Sequence, residues 1–261
     1  LAIKTDGTLW SWGYNSYGSL GLNNRVQYSS PVQVPGTTWK QTGTSWYFSA
    51  AVKTDGTLWT WGKNSYGLLG VNLPDDNILR SSPVQVPGTN WKNVSVGGDQ
   101  IICATKTDGT LWAWGRNNQG QLGQNSLNPA PTGISSPVQI PGTNWDVVEN
   151  GGYSIVATKT DGTAWTWGNN DNGGLGQNNT AHYSSPVQVP GTTWSNIGMI
   201  QKGVAFGSKT DGTLWVWGAG TEGELGLNAV GKYSSPVQIP GSWNMGKIAG
   251  NYAGVMLLNE V

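Results

Sequence analysis

Lys-Thr-Asp-Gly occurs five times in 261 residues, beginning at Lys4, Lys53, Lys106, Lys159 and Lys209. A chain that repeats at a near-constant period folds as an array, because one copy is one supersecondary unit that buries its apolar face only against its neighbours. The aspartates of these copies, Asp6, Asp55, Asp108, Asp161 and Asp211, lie 49, 53, 53 and 50 residues apart. The same string unrolls around each. KTDGTxWxWG is followed by a loop ending in GxLG, a variable loop, SSPVQ(V/I)PG and a lone tryptophan: Trp39, Trp91, Trp145, Trp194 or Trp243. Fifteen of the 16 tryptophans hold these repeat positions; Trp46 alone does not.

Each copy reads as β-structure. Asp-Gly between two apolar runs predicts a hairpin, with a primed turn supplying positive φ at its centre. In the second copy AAVK leads in and TLWTW leads out. Trp59 and Trp61 then share one face of a strand, and Leu58 and Thr60 the other. Pro83 and Pro87 bracket SSPVQVPG, which predicts a short edge strand. The stretch after each lone tryptophan, such as WKNVSVGG from Trp91, reads as one more strand. Apolar residues nowhere follow a 3.6-residue period for more than about two turns, and Gly and Pro punctuate every window.

Four short strands in ~50 residues predict one propeller blade per copy. The fold class is thus all-β: a propeller of about five four-stranded blades filling residues 1–261 as a single domain. Trp10, Trp12, Trp59, Trp61, Trp112, Trp114, Trp165, Trp167, Trp215 and Trp217 are read as the filling between blades. Each large aromatic buries roughly 150–250 Å², worth several kcal/mol before entropy is subtracted. The rival reading makes one tryptophan of each pair a sugar-stacking platform.

The motifs carry a family resemblance. AVKTDGTLWTWGKNSYGLLG followed by SSPVQVPG resembles the regulator of chromosome condensation repeat, whose signature is a hydrophobic strand, Asp-Gly and WG-x-N-x-x-G-x-LG. It is matched by WGYNSYGSLG, WGKNSYGLLG, WGRNNQGQLG and WGNNDNGGLG; in the fifth copy, WGAGTEGELG, Gly220 replaces the asparagine. The resemblance implies a β-propeller. Family members commonly carry seven repeats, against five here. AGVMLLNEV, from Ala253, aligns with the lead-in that LAIKTDG supplies at the other end. The favoured expectation is that the terminal strands share and close one blade; the alternative is that AGVMLLNEV opens a sixth. The family's roles are nucleotide exchange on a small GTPase, chromatin binding, light reception and β-lactamase inhibition. The near-identical copies look most like its bacterial and bacteriophage branch, in large surface or virion proteins.

Composition narrows the function. Net charge is zero and only 11% of residues are charged, with three arginines and no basic tail. Nothing here attracts nucleic acid or an anionic membrane, and no run of 18 apolar residues occurs for membrane insertion. One cysteine, Cys103, excludes an internal disulfide and a multi-thiolate zinc site. One histidine, His182, has no triad or metal cluster around it. The repeated aspartates read as turn residues, Asp75 and Asp76 as a remote acid pair, and NNDNGG as a turn lacking the spaced acids of a calcium loop. No catalytic, cofactor or metal site is expected.

The remaining candidates sit in the variable loops LNNRVQY, VNLPDDNILR, QNSLNPAPTGI, QNNTAHY and LNAVGKY. Tyr28, Asp75, Asp76, Asn77, Asn128, His182, Tyr183 and Tyr233 are the binding candidates, since loops on a rigid scaffold carry recognition. The expected molecule is a non-enzymatic structural or binding propeller engaging a protein assembly partner or a surface glycan. It would sit extracellularly or on a virion, as a piece of a larger protein whose first residue here is Leu. A lectin with one sugar site per repeat, and an enzyme inhibitor or exchange factor, are the alternatives.

Overall fold

The computed structural model describes every residue except 74–77, 99, 128–132, 201–202, 244–247, 252–253 and 258–261. Among the described residues the regular secondary structure is β-strand apart from one short 3₁₀ turn at Ser65–Gly67. Six antiparallel sheets follow one another along the chain. The first holds β1 (Ala2–Ile3), β2 (Leu9–Gly13) and β3 (Tyr28–Gln33). The second holds β4 (Trp39–Thr44), β5 (Phe48–Lys53), β6 (Leu58–Lys63) and β7 (Leu79–Gln85). The third holds β8 (Trp91–Gly97), β9 (Ile101–Lys106), β10 (Leu111–Gly115) and β11 (Ile134–Ile140). The fourth holds β12 (Trp145–Asn150), β13 (Ser154–Lys159), β14 (Ala164–Gly168) and β15 (Tyr183–Gln188). The fifth holds β16 (Trp194–Ile200), β17 (Val204–Lys209), β18 (Leu214–Gly220) and β19 (Gly231–Ile239). The sixth is a pair, β20 (Ile248–Asn251) and β21 (Gly254–Leu257). Residues 1–117 with 128–140 form one compact unit, and residues 118–127 with 141–261 the other.

Each complete sheet meanders in chain order, so the SSPVQ strand falls at an edge, where its proline removes no ladder donor. Two features differ from expectation. The Asp-Gly turn is not primed: Gly56 N–H bonds Lys53 O and Lys53 N–H bonds Thr57 O, with positive φ at Gly56 but not at Asp55. That is a three-residue loop, whose glycine alone occupies the left-handed region. Second, a copy counted from its KTDG turn straddles two sheets. It gives β6 and β7 to one, then β8 and β9, opening at the lone Trp91, to the next. Covalent linkage thus runs through every sheet boundary.

At the ends of the chain, among the described residues, β1–β3 make a three-stranded sheet in the first unit, and β20 and β21 pair in the second. β20 follows Trp243, the lone tryptophan of the fifth copy, and β21 falls in AGVMLLNEV, which aligns with the lead-in of LAIKTDG. Strands separated by a two-residue connection pair locally at small entropic cost.

Sheets within each unit interlock through the same contacts. In the first unit the GxLG loop of one copy docks on the SSP strand of the next, with Asn23 N–H donating to Ser81 O and Asn72 N–H to Ser135 O at 2.7 and 2.8 Å. In the second unit Asn125 and Asn178 do the same to Ser184 O and Ser234 O, both at 2.7 Å. The Asp-Gly turn forms a second tie: Trp39 N–H bonds Gly7 O and Trp91 N–H bonds Gly56 O in the first unit, and Trp194 N–H bonds Gly162 O in the second. Phe48, Leu58, Leu68, Leu69, Val86, Ile102 and Trp114 form one core between the second and third sheets.

Candidate functional site

Every copy carries three tryptophans, and the structure gives each a distinct task. The second of each WxW pair is filling. Trp61, Trp114, Trp167 and Trp217 are fully buried. Their indole N–H groups donate to Ser19 O, Leu68 O, Gln121 O and Gly174 O, in the loop of the preceding copy, at 2.7–2.8 Å. Trp12, the counterpart in the first copy, is 45% exposed.

The first of each pair is half-buried: Trp10, Trp59, Trp112, Trp165 and Trp215. A relay fixes it. The indole N–H of Trp112 donates to Thr110 Oγ1 at 2.9 Å, and that hydroxyl donates to Asp108 Oδ1 at 2.7 Å, which also accepts Thr110 N–H. The same chain recurs from Trp10, Trp59, Trp165 and Trp215. Hence the string TDGTxW: the threonine hydroxyl couples the turn aspartate to the indole two residues on. The threonine hydrogen bonds hold the carboxyls of Asp6, Asp55, Asp108, Asp161 and Asp211 below the usual aspartate range. A carboxyl lowered in the folded state stabilises above its unfolded pKa, and that contribution fades as pH falls through the folded value. Thr110→Val should raise the Asp108 pKa toward the ordinary value in a carbon-detected NMR titration. It should also cost about 1 kcal/mol in urea unfolding by orphaning the Trp112 N–H.

The lone tryptophans Trp39, Trp91, Trp145 and Trp194 are buried to 2–3% exposure. Each meets both WxW rings of its sheet edge-on or tilted, at centroid distances of 5.8–6.5 Å.

Among the loop candidates, Tyr28 and Tyr183 are half-buried clasps whose hydroxyls accept from Asn24 and Asn179 at 3.2 and 3.0 Å. Tyr233 packs against the core of the fifth sheet. His182 Nε2 lies 2.8 Å from Asp171 Oδ1 on the surface. Hydrogen bonds from Asn169 and then His182 hold the Asp171 carboxyl below its ordinary range. Asp75, Asp76, Asn77 and Asn128 lie outside the described residues. The loops that are described raise apolar tips instead: Val26, Leu127 and Val230 are 57, 60 and 72% exposed. Cys103 is buried in β9, and among the described residues no His/Cys/Asp/Glu group could hold a metal ion.

A surface cluster in the first unit went unread in the sequence. Tyr14 lies 6.2 Å from Tyr17, Tyr17 lies 4.4 Å from Tyr47, and Trp46 stands edge-on to Tyr47 at 6.3 Å. Lys63 Nζ sits 5.5 Å over the Tyr17 ring. Trp46 is 73% and Tyr14 51% exposed. Aromatic side chains held against one another yet open to water are the residues that anchor protein interfaces. The available signal was Trp46 itself, the one tryptophan outside the repeat register.

Comparison with known proteins agrees with this geometry. Residues 6–52, 55–104, 108–154, 161–209 and 211–254 match the regulator of chromosome condensation (RCC1) repeat. The chain is 31% identical over 194 residues to the human E3 ubiquitin-protein ligase HERC2, covering 70% of this chain and 4% of that protein. It is 26% identical over 182 residues to the ultraviolet-B receptor UVR8 of Arabidopsis thaliana, covering 67% and 40%. It therefore spans well under half the length of these relatives. The crystal structure of human WBSCR16 superposes with a TM-score of 0.84 at 21% identity, over 99% of this chain and 68% of that one. Prp20p from Saccharomyces cerevisiae, whose structure was described with its binding to Gsp1p and histones, superposes at 0.78 and 16%, over 92% and 60%. At these identities the likeness establishes the propeller fold and nothing finer.

Proposed function

The chain belongs to the RCC1 repeat family, and from that premise we propose that it is a non-enzymatic propeller module that binds a protein partner. The observation that carries this reading is the surface aromatic cluster in which exposed Tyr14 and Trp46 pack on half-buried Tyr17 and Tyr47. In the first unit Val26 is a further exposed apolar residue, and in the second Leu127 and Val230 are exposed. The turn aspartates are engaged by their threonines, and the lone histidine is an exposed partner of Asp171. Neither set has the arrangement of a reaction centre. Zero net charge favours a protein over nucleic acid. A place in a surface or virion-associated assembly rests on the near-identity of the copies alone.

A sugar-stacking function draws little support from the half-buried tryptophans, whose faces carry lysines. Lys4 Nζ lies 3.9 Å over Trp10, and Lys53 Nζ 4.8 Å over Trp59. Immobilised protein should retain one or more proteins from its source organism's lysate. Trp46→Ala should weaken that capture by about 2 kcal/mol, or ~30-fold, as a hot-spot residue does, while urea unfolding stays unchanged. Identical capture by the variant and the parent would refute the assignment of this patch.

A further inference from the structure

Among the described residues, four buried indole N–H groups have no protein acceptor, and all four belong to the same repeat position: Trp39, Trp91, Trp145 and Trp194. The contrast within one copy is sharp. Trp59 Nε1 is taken by Thr57 and Trp61 Nε1 by Ser19, whereas Trp39 Nε1 is left over. Buried donors are rarely left so, and a fourfold recurrence is not an accident of one site. Trp243, the fifth lone tryptophan, donates instead to Ile239 O at 3.4 Å.

A cation accompanies each orphan. Lys53, Lys106, Lys159 and Lys209, the lysines of the KTDG motif, each hold Nζ 4.4–4.9 Å over the lone ring and the first WxW ring together. Two indole faces stabilise the ammonium without using its N–H donors. None of the four is ion-paired with a carboxylate among the described residues. The nearest in sequence, such as Asp55, is engaged by its threonine.

A glycine leaves the space in front of both donors. A methyl group on Gly36 would lie 3.4 Å from Lys53 Nζ and 3.6 Å from Trp39 Nε1. The distances are 3.4 and 3.7 Å at Gly88, 3.5 and 3.5 Å at Gly142, and 3.0 and 3.9 Å at Gly191. Each of these glycines has φ of 95–100°, which bars most side chains from the position. In the first of the four sites this space opens into a cleft of about 400 Å³ walled by Pro35, Trp59 and Pro83, with Asn23 and Ser82 at its rim.

We propose that each of these four pockets binds a carboxylate carried on a short apolar stem, the side chain of a glutamate or aspartate in a protein partner. Two donors that meet beside one glycine, one of them cationic, select an anionic oxygen. One lysine charge matches a carboxylate. Proline and indole walls suit the methylenes behind it. The lysine already covers the indole face that a sugar ring would stack on. The choice of a peptide as the source rests on the protein-binding reading; the pocket chemistry does not.

The test is a titration of the full chain, ¹⁵N-labelled at its indoles, with a capped hexaglutamate peptide, followed by NMR. The four orphan N–H signals, assigned by Trp39→Phe, Trp91→Phe, Trp145→Phe and Trp194→Phe, should shift saturably, and more weakly at high salt. Lys53→Gln should abolish the shift at Trp39 and leave the other three intact. Should that variant not fold, the Trp39→Phe protein still reports whether three signals respond without the fourth. Hexaglutamine should move none of them. Static signals, or equal shifts with hexaglutamine, would overturn the pocket. A response to trigalacturonate alone would overturn the peptide source. Neither result touches the Trp46 capture experiment, so the two readings fail separately.

Discussion

Trp114→Ala should cost about 3–5 kcal/mol, the range for removing a large aromatic from a packed core. Trp114 is fully buried among Phe48, Leu58, Leu68, Leu69 and Ile102. Its indole N–H also closes on Leu68 O at 2.8 Å, so truncation empties a cavity and strips a buried carbonyl of its donor. Trp114→Phe refills most of the volume without the donor and should cost less, about 1–2 kcal/mol. Trp46→Ala, at a side chain 73% exposed, should stay within about 0.5 kcal/mol of the parent. The measurement is urea unfolding of the three variants beside the parent. Equal midpoints for Trp114→Ala and Trp46→Ala would remove the basis for treating the WxW pairs as filling between sheets.

That ordering of tryptophans was only half legible in the sequence. Period and alternation place Trp112 and Trp114 on one strand and one face, and the fold class follows from them. They do not say that Trp114 is buried by the preceding copy while Trp112 is held by its own turn. The distinction depends on which neighbour stacks where, and alternation is blind to that. The Asp-Gly turn was legible as a hairpin, but its type was not: the Thr110 hydroxyl, reaching both Asp108 and Trp112, favours a turn with Asp outside the left-handed region. The strand exchange at each lone tryptophan was hidden, because a copy boundary drawn on a repeating string is arbitrary. Loop tyrosines read as contact residues because Tyr is common in recognition loops; that Tyr28 and Tyr183 also accept hydrogen bonds from Asn24 and Asn179 of their own loops was not legible. The orphan indoles were beyond any sequence reading, since an unmet donor is visible only once every acceptor has been placed.

Gly120→Ala should be strongly destabilising for two reasons, and a second glycine separates them. Gly120 has φ of +80°, and a Cβ there would lie 2.6 Å from Ser184 Cα. That neighbour is backbone of the fourth sheet and cannot swing aside. Gly223 holds the same place in the fifth copy, with φ of +88°, but a Cβ there meets nothing within 4 Å. Gly223→Ala therefore carries only the left-handed backbone cost, about 1–2 kcal/mol. Gly120→Ala adds the overpacking cost, typically another 1–3 kcal/mol, and loosens the Asn125–Ser184 tie beside it. In a repeat array such a loss falls on an interface between neighbours, not on one unit's own fold. Hydrogen exchange should accordingly show faster exchange of the Asn125 amide and the β15 edge in Gly120→Ala, with β16–β17 still protected. If the two alanine variants unfold at the same urea concentration, close approach of successive copies is not what the glycines of the GxLG loops are for, and their left-handed turns alone account for them.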